Sequence, residues 1–279
     1  QYVDVLVAQL DTDAALEIVL VGTENWRSTR VLVIDGASHE IELRIDQEVT
    51  DREDVFDAEL SDLDGDGVPE LILGSVGHPT DGRYFLHAIS LQDGRHLWRS
   101  PSFGTGFAIR GRVLVAQTDS DAQPELVAAI PSGLHAIDPV SREIDWEWSH
   151  AHVAAAVRTP TSGPQEFLLA NGSTLARINA QTRAVEGETE LPFWIEAIQA
   201  LPDEPDWVIL AMNDRLHRYD LVDASLDGAT GPLGGRPAQH GFVAPAIVPR
   251  GWSIVSGSDT GFFEHFLADR SNLFASGFE

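Results

Sequence analysis

Cysteine is absent from the 279 residues, so neither a disulfide framework nor a thiolate metal or catalytic site is available. Basic residues are scarce as well, 18 against 44 acidic ones, for a net charge of −26. That balance argues against binding nucleic acid or an anionic membrane through a basic face. It suits a self-repelling monomer that holds divalent cations. No apolar run reaches the length of a membrane span, and no stretch keeps a helical period. A Gly-x-Ser-x-Gly nucleophile elbow is missing too. The chain begins at Gln1, as expected for a processed mature form or an excised fragment.

What is present is repetition. Residues 8–19 (AQLDTDAALEIV), 60–72 (LSDLDGDGVPELI) and 116–127 (AQTDSDAQPELV) align on their acids. Asp11, Asp64 and Asp119 coincide, then Asp13, Asp66 and Asp121, then Glu17, Glu70 and Glu125. Each copy continues into an apolar strand, a second strand ending in a turn, and a short closing strand. Alternating apolar positions and Asp-Gly turns favour antiparallel strands. The second half keeps this rhythm without the aspartates: 166–170 precedes 175–180, 207–211 precedes 216–220, and 252–256 precedes 262–266.

Six units of about 40 to 55 residues match the period of a four-stranded propeller blade. The expectation is an all-β chain forming one β-propeller domain over 1–279. Its blades fall near 1–50, 51–105, 106–150, 151–192, 193–238 and 239–279, and residues 228–241 connect the last two. A count of seven fits if an N-terminal blade lies outside the chain or two units have been merged.

Asp62, Asp64, Asp66 and Glu70 place carboxylates at positions one, three, five and nine of a loop. Calcium takes six to eight oxygens in forgiving geometry, Val68 offers its carbonyl at position seven, and Gly65 and Gly67 let the backbone fold tightly. The alternative is a solvated acidic turn. The loop resembles that of FG-GAP (VCBS-type) repeats, the blades of the integrin α-subunit propeller and of many exported bacterial proteins. The resemblance implies Ca2+ bound by Asp62, Asp64, Asp66, the Val68 carbonyl and Glu70, the last in place of the family's usual Asp. Units one and three depart from the pattern, with Gln9 and Gln117 at position one. Asp11, Asp13 and Glu17, and likewise Asp119, Asp121 and Glu125, then either hold an ion weakly or cap turns through backbone hydrogen bonds. Residues 86–98 and 134–146 are similar to quinoprotein-type blades, which implies that Trp98 and Trp146 dock neighbouring blades.

Other features carry alternatives. His150 and His152 share one side of a strand, as zinc or copper ligands or as a polar strand end. Trp26 and Trp194 lie in loops, to stack on a sugar, anchor a protein, or cover a blade end. Asn171-Gly-Ser173 is a glycosylation sequon, and the tail at 272–279 is similar to that of some exported proteobacterial proteins. The functional expectation is a secreted, periplasmic or cell-surface module, bacterial, stabilised by calcium and binding a protein or carbohydrate. The alternative is a propeller hydrolase or lyase with its site in the central channel.

Overall fold

Runs such as Glu70–Val76 and Glu125–Ile130 are apolar almost throughout, so strands built from them must be covered on both faces. The computed structural model describes residues 2–24, 28–45, 53–77, 82–106, 111–121, 123–201, 204–213, 215–229, 246–248, 251–257 and 263–268. Every element among them is a β-strand. No helix long and apolar enough to cross a membrane is found there. The readings made for Trp26, most of the 228–241 connection and the 272–279 tail fall outside the described residues.

The strands come in antiparallel meanders. The first sheet holds β1 (Tyr2–Ala8), β2 (Glu17–Glu24), β3 (Ser28–Ile34) and β4 (Ile41–Ile45). The second holds β5 (Asp54–Ser61), β6 (Glu70–Val76), β7 (Arg83–Ile89) and β8 (His96–Arg99), with short β9 (Phe103–Thr105) also paired to β7. The third comprises β10 (Arg112–Ala116), β11 (Glu125–Ile130), β12 (Gly133–Ile137) and β13 (Ile144–Ser149). The fourth comprises β14 (Ala154–Arg158), β15 (Glu166–Asn171), β16 (Thr174–Asn179) and β17 (Val185–Glu190). The fifth comprises β18 (Ile195–Ala200), β19 (Trp207–Met212), β20 (Arg215–Asp220) and β21 (Ser225–Ala229). A last sheet has three described strands, β22 (Ala246–Val248), β23 (Gly251–Gly257) and β24 (Phe263–Ala268). This is a β-propeller arrangement. Where the sequence suggested six four-stranded blades, five appear among the described residues.

Burial grades outward within each blade. The second strands β6, β11, β15 and β19 are buried along nearly their whole length, whereas the fourth strands β4, β13 and β17 are largely exposed or half-buried. Trp98, on β8, is buried in the core between the second and third sheets, while Trp146 is half-buried. The chain divides into two compact units: Gln1–Val115 with Ala122–His150, and Ala116–Asp121 with Ala151–Glu279. In the first unit, one apolar cluster joins Val19, Val31 and Val33 to Val55, Leu71 and Leu73, and another joins Phe56, Ile72 and Leu86 to Leu126 and Ile130. In the second unit, Leu168, Ala170 and Leu175 pack with Ile198, Leu210 and Tyr219.

One turn recurs at the hairpin that closes each of the five blades. An oxygen of Asp35, Ser90, Asp138, Asn179 or Asp220 accepts the N–H two residues on, an Asx- or Ser-turn. Four residues after that acceptor the chain enters the left-handed region, at His39, Gly94, Arg142, Arg183 and Ala224.

Buried polar groups join neighbouring strands of the first unit. Asp4 accepts the Ala58 N–H, and the register-equivalent Asp57 accepts the Val113 N–H at 2.6 Å. Arg112 Nε stands 3.2 Å from Asp57. Within the second sheet a polar rung crosses all four strands' ends: Glu53 meets Ser75, His87 and Arg99, and His87 Nδ1 lies 3.0 Å from His96 Nε2.

This packing makes two outcomes measurable. A Cβ on Gly74 would sit 2.4 Å from the Phe56 ring and 2.8 Å from Val113. Gly74→Ala is therefore expected to cost about 1–3 kcal/mol by overpacking, and an unchanged Tm would contradict this packing. Burial pushes the Asp57 carboxyl up to about 8, helped by Asp4 and Glu59 and opposed chiefly by Arg112. Its pKa being raised on folding, the folded chain binds the extra proton, and Asp57's contribution to stability is lost as pH rises from about 4 to 8. Asp57→Asn keeps an acceptor for Val113 and should flatten that decline in urea-unfolding free energy; parallel pH profiles would overturn the assignment.

Candidate metal centre

Three loops between first and second strands carry the aligned acids. In the loop from β5 to β6, Asp62 Oδ1 accepts the Gly65 N–H at 2.7 Å and its Oδ2 the Gly67 N–H at 3.0 Å. Asp64 accepts from Asp66 N, and Asp66 from Val68 N, so each aspartate closes the next turn of the loop. Gly65 and Gly67 have φ of 78° and 89°, and a Cβ added to either would meet no atom within 4 Å. Backbone conformation rather than space is what calls for glycine there.

These turns bring the three carboxylates of Asp62, Asp64 and Asp66 within 4.8 Å of one another, all exposed. Such crowding of like charges is unfavourable without a cation. Glu70 stands at the buried end of the loop, outside that group of three, and its Oε2 accepts the Leu63 N–H at 2.9 Å. Burial, then the neighbouring aspartates, raise its pKa. Val68, half-buried, donates its N–H to Asp66.

The loop from β1 to β2 reaches a related shape by another route. Gln9 Nε2 donates to the carbonyls of Asp13 at 2.6 Å and Asp11 at 2.9 Å. The position-one side chain thus organises the loop either as acceptor (Asp62) or as donor (Gln9). Asp11, Asp13 and Glu17 still converge within 4.8 Å. Glu17 Oε2 accepts the Leu10 N–H at 2.6 Å, matching Glu70. A second group, Asp11 with Asp35 and Glu42, lies against the first. Partial desolvation and the carboxylates of Asp35, Asp11, Glu17 and Asp13 raise the Glu42 pKa. Asp35 and Glu42 come from the β3–β4 hairpin and are the ligand candidates that sequence reasoning missed. Only register, not spacing, would have revealed them.

In the third loop Gln117 Nε2 donates to the Asp121 carbonyl at 2.8 Å, repeating Gln9, and Gln181 Nε2 donates to the Asp119 carbonyl at 3.0 Å. Glu125 is buried at the start of β11. The fourth blade has no aspartates in this loop, yet β15 again opens on a buried glutamate. There Arg158 Nε lies 2.9 Å and Arg177 Nε 3.7 Å from Glu166 Oε2. Arginines supply the positive charge that an ion would bring.

The remaining candidates separate. The His150 ring stacks on Trp148 with centroids 4.7 Å apart, and His152 is buried. Neither belongs to a group of three metal-ligating side chains among the described residues. Trp194 is 61% exposed, beside exposed Phe193, and Asn171 is exposed at the end of β15. Ser75, His87 and Glu53 have the residue types of a hydrolytic triad, but with exposures of 0%, 1% and 4% they bind strands together rather than meet a substrate.

No family model matches the chain, and no curated protein matches it either. Many solved structures do. The crystal structure of BBS1N in complex with ARL6DN, soaked with lead, matches at TM-score 0.62 and 12% identity, covering 94% of this chain and 78% of that one. A protein of unknown function from Bacteroides caccae matches at TM-score 0.53 and 14% identity, covering 88% and 84%. At these identities the likeness is one of fold, and the fold they share with this chain is the β-propeller.

Proposed function

We propose that this chain is an exported, calcium-stabilised β-propeller that acts as a binding module for a protein or carbohydrate partner. The observation that carries the calcium reading is the convergence of Asp62, Asp64 and Asp66 on a loop tied down by Glu70. The all-oxygen donor set is the chemistry calcium prefers, and millimolar calcium outside the cell would fill a site of modest affinity. The metal is structural: it offsets the carboxylate repulsion and fixes the loop between β5 and β6.

The binding role is supported by the exposed pair Phe193–Trp194, set in a segment whose backbone bonds to Gly172 and Ser173. An exposed flat indole suits stacking on a sugar ring or anchoring a partner's loop. BBS1N, of similar fold, is crystallised in a complex, which is consistent with a docking role for such propellers.

Calcium at about 100 times its dissociation constant should stabilise the fold by about 2.7 kcal/mol, seen as a Tm that falls on adding chelator. Asp64→Ala is expected to remove most of that difference; equal chelator shifts in both proteins would sink the reading of residues 62–70. On a glycan array and a panel of extracellular proteins, Trp194→Ala should lose at least about tenfold in binding at unchanged Tm. Binding that survives the substitution in full would exclude this surface.

A further inference from the structure

The geometry points to a second divalent-cation site, built between the 9–17 loop and the β3–β4 hairpin, in which Asp35 and Glu42 supply the carboxylates that Gln9 does not. It goes beyond the reading of residues 62–70 and uses different residues.

The first observation is convergence. One carboxylate oxygen each of Asp11, Asp13 and Glu17 lies within 4.8 Å of the others, and the same holds for Asp11, Asp35 and Glu42. Asp11 belongs to both groups and links the loop acids to the hairpin acids. Gly36 makes the approach possible, since a Cβ there would come within 2.1 Å of the Leu16 carbonyl oxygen. Asp35 Oδ1 accepts the N–H groups of Ala37 and Ser38, which holds the carboxylate at the turn facing the loop acids.

The second observation is independent of that crowding. Glu17 is fully buried, and while Oε2 accepts from Leu10, Oε1 has no hydrogen-bond partner. A buried carboxylate oxygen without a donor is costly, and Glu17 is a member of the convergent group. A cation there satisfies it. The equivalent Glu166 of the fourth blade has its charge met by Arg158 and Arg177.

Comparison of blades by register explains the division of ligands. Asp35 and Glu42 correspond to Ser90 and Leu97 in the second blade, the one blade whose loop has a carboxylate at position one. The first blade has Gln9 at that position and acids at both hairpin positions. In the fourth blade the counterpart of Glu42 is Glu186, which accepts from Asn179 Nδ2 at 2.8 Å. In the first blade the corresponding acid faces other carboxylates.

The test titrates calcium chloride into the full 279-residue chain by calorimetry, with native mass spectrometry to count bound ions. Wild type, Asp64→Ala, Glu42→Gln and the double variant are compared. Asp64→Ala is expected to retain an ion that the double variant holds about tenfold more weakly or loses. Glu42→Gln alone should weaken one site to the same degree. Asp35→Asn keeps the turn acceptor and should repeat the weakening with an unchanged far-UV circular dichroism spectrum, which separates ligand loss from misfolding. An Asp64→Ala chain that binds no ion overturns the inference, as does a Glu42→Gln chain with wild-type ion count and affinity. An ion lost with Glu42→Gln in a protein indifferent to Asp64→Ala supports this site while removing the one at residues 62–70.

Discussion

A buried carboxylate at the mouth of the second strand is the constraint around which four blades are organised. Glu17, Glu70, Glu125 and Glu166 open β2, β6, β11 and β15 with exposures of 0%, 6%, 1% and 5%. They are buried because second strands are covered on both faces, and a carboxylate in that setting is tolerated only when paired. In the first two blades the preceding loop supplies an N–H, from Leu10 or Leu63, and then adds more carboxylates. In the fourth the neighbouring strands supply two guanidinium groups. The fifth blade replaces the glutamate by Trp207, whose ring lies under Arg218 with its guanidinium carbon 3.7 Å from the centroid. The aspartate loops and the arginines are thus two answers to one electrostatic problem.

That view explains which parts of the molecule were legible in the sequence. The Asp-x-Asp spacing, the glutamate before each apolar run and the rhythm of strand pairs are local, so they predict a blade and its loop directly. The hairpin turn that unites all five blades is not local in composition. Its acceptor is Asp, Ser or Asn, and its left-handed position is filled by His, Gly, Arg or Ala. Conformation is repeated there while residue type is not. Asp35 and Glu42 were invisible for a related reason: they lie 18 and 25 residues beyond Glu17 in the sequence, and only strand register returns them to the loop.

The polar rung and the inter-strand latch were hidden differently. Leu86-His87 and Leu134-His135 read as members of a repeated strand, yet His87 contacts Glu53, Ser75 and His96 whereas His135 meets Glu147 at 3.0 Å and stacks on Phe103. The same dipeptide serves two networks because the partners come from other strands. Asp4 and Asp57 were lost among 44 acids, although each accepts an N–H from the first strand of the next sheet. Charge count announces such residues poorly, since burial decides which acids are structural.

The division of solutions also separates two roles. The first and second blades gather carboxylates, most of them exposed, in the loops before their second strands. The fourth blade carries its own positive charge, and its β16–β17 hairpin is held by Ser173 and Thr174 donating to Glu190. Ile195, just after Trp194, donates its N–H to the Gly172 carbonyl at 2.8 Å, which ties the backbone beside the indole to the β15–β16 turn. The backbone beside the exposed aromatic pair therefore rests on contacts internal to the chain, whereas the acidic loops gather like charges that disfavour one another. On the proposed reading, the surface around Trp194 would keep its order without a cation, and cation dependence would fall to the blades that carry the carboxylates.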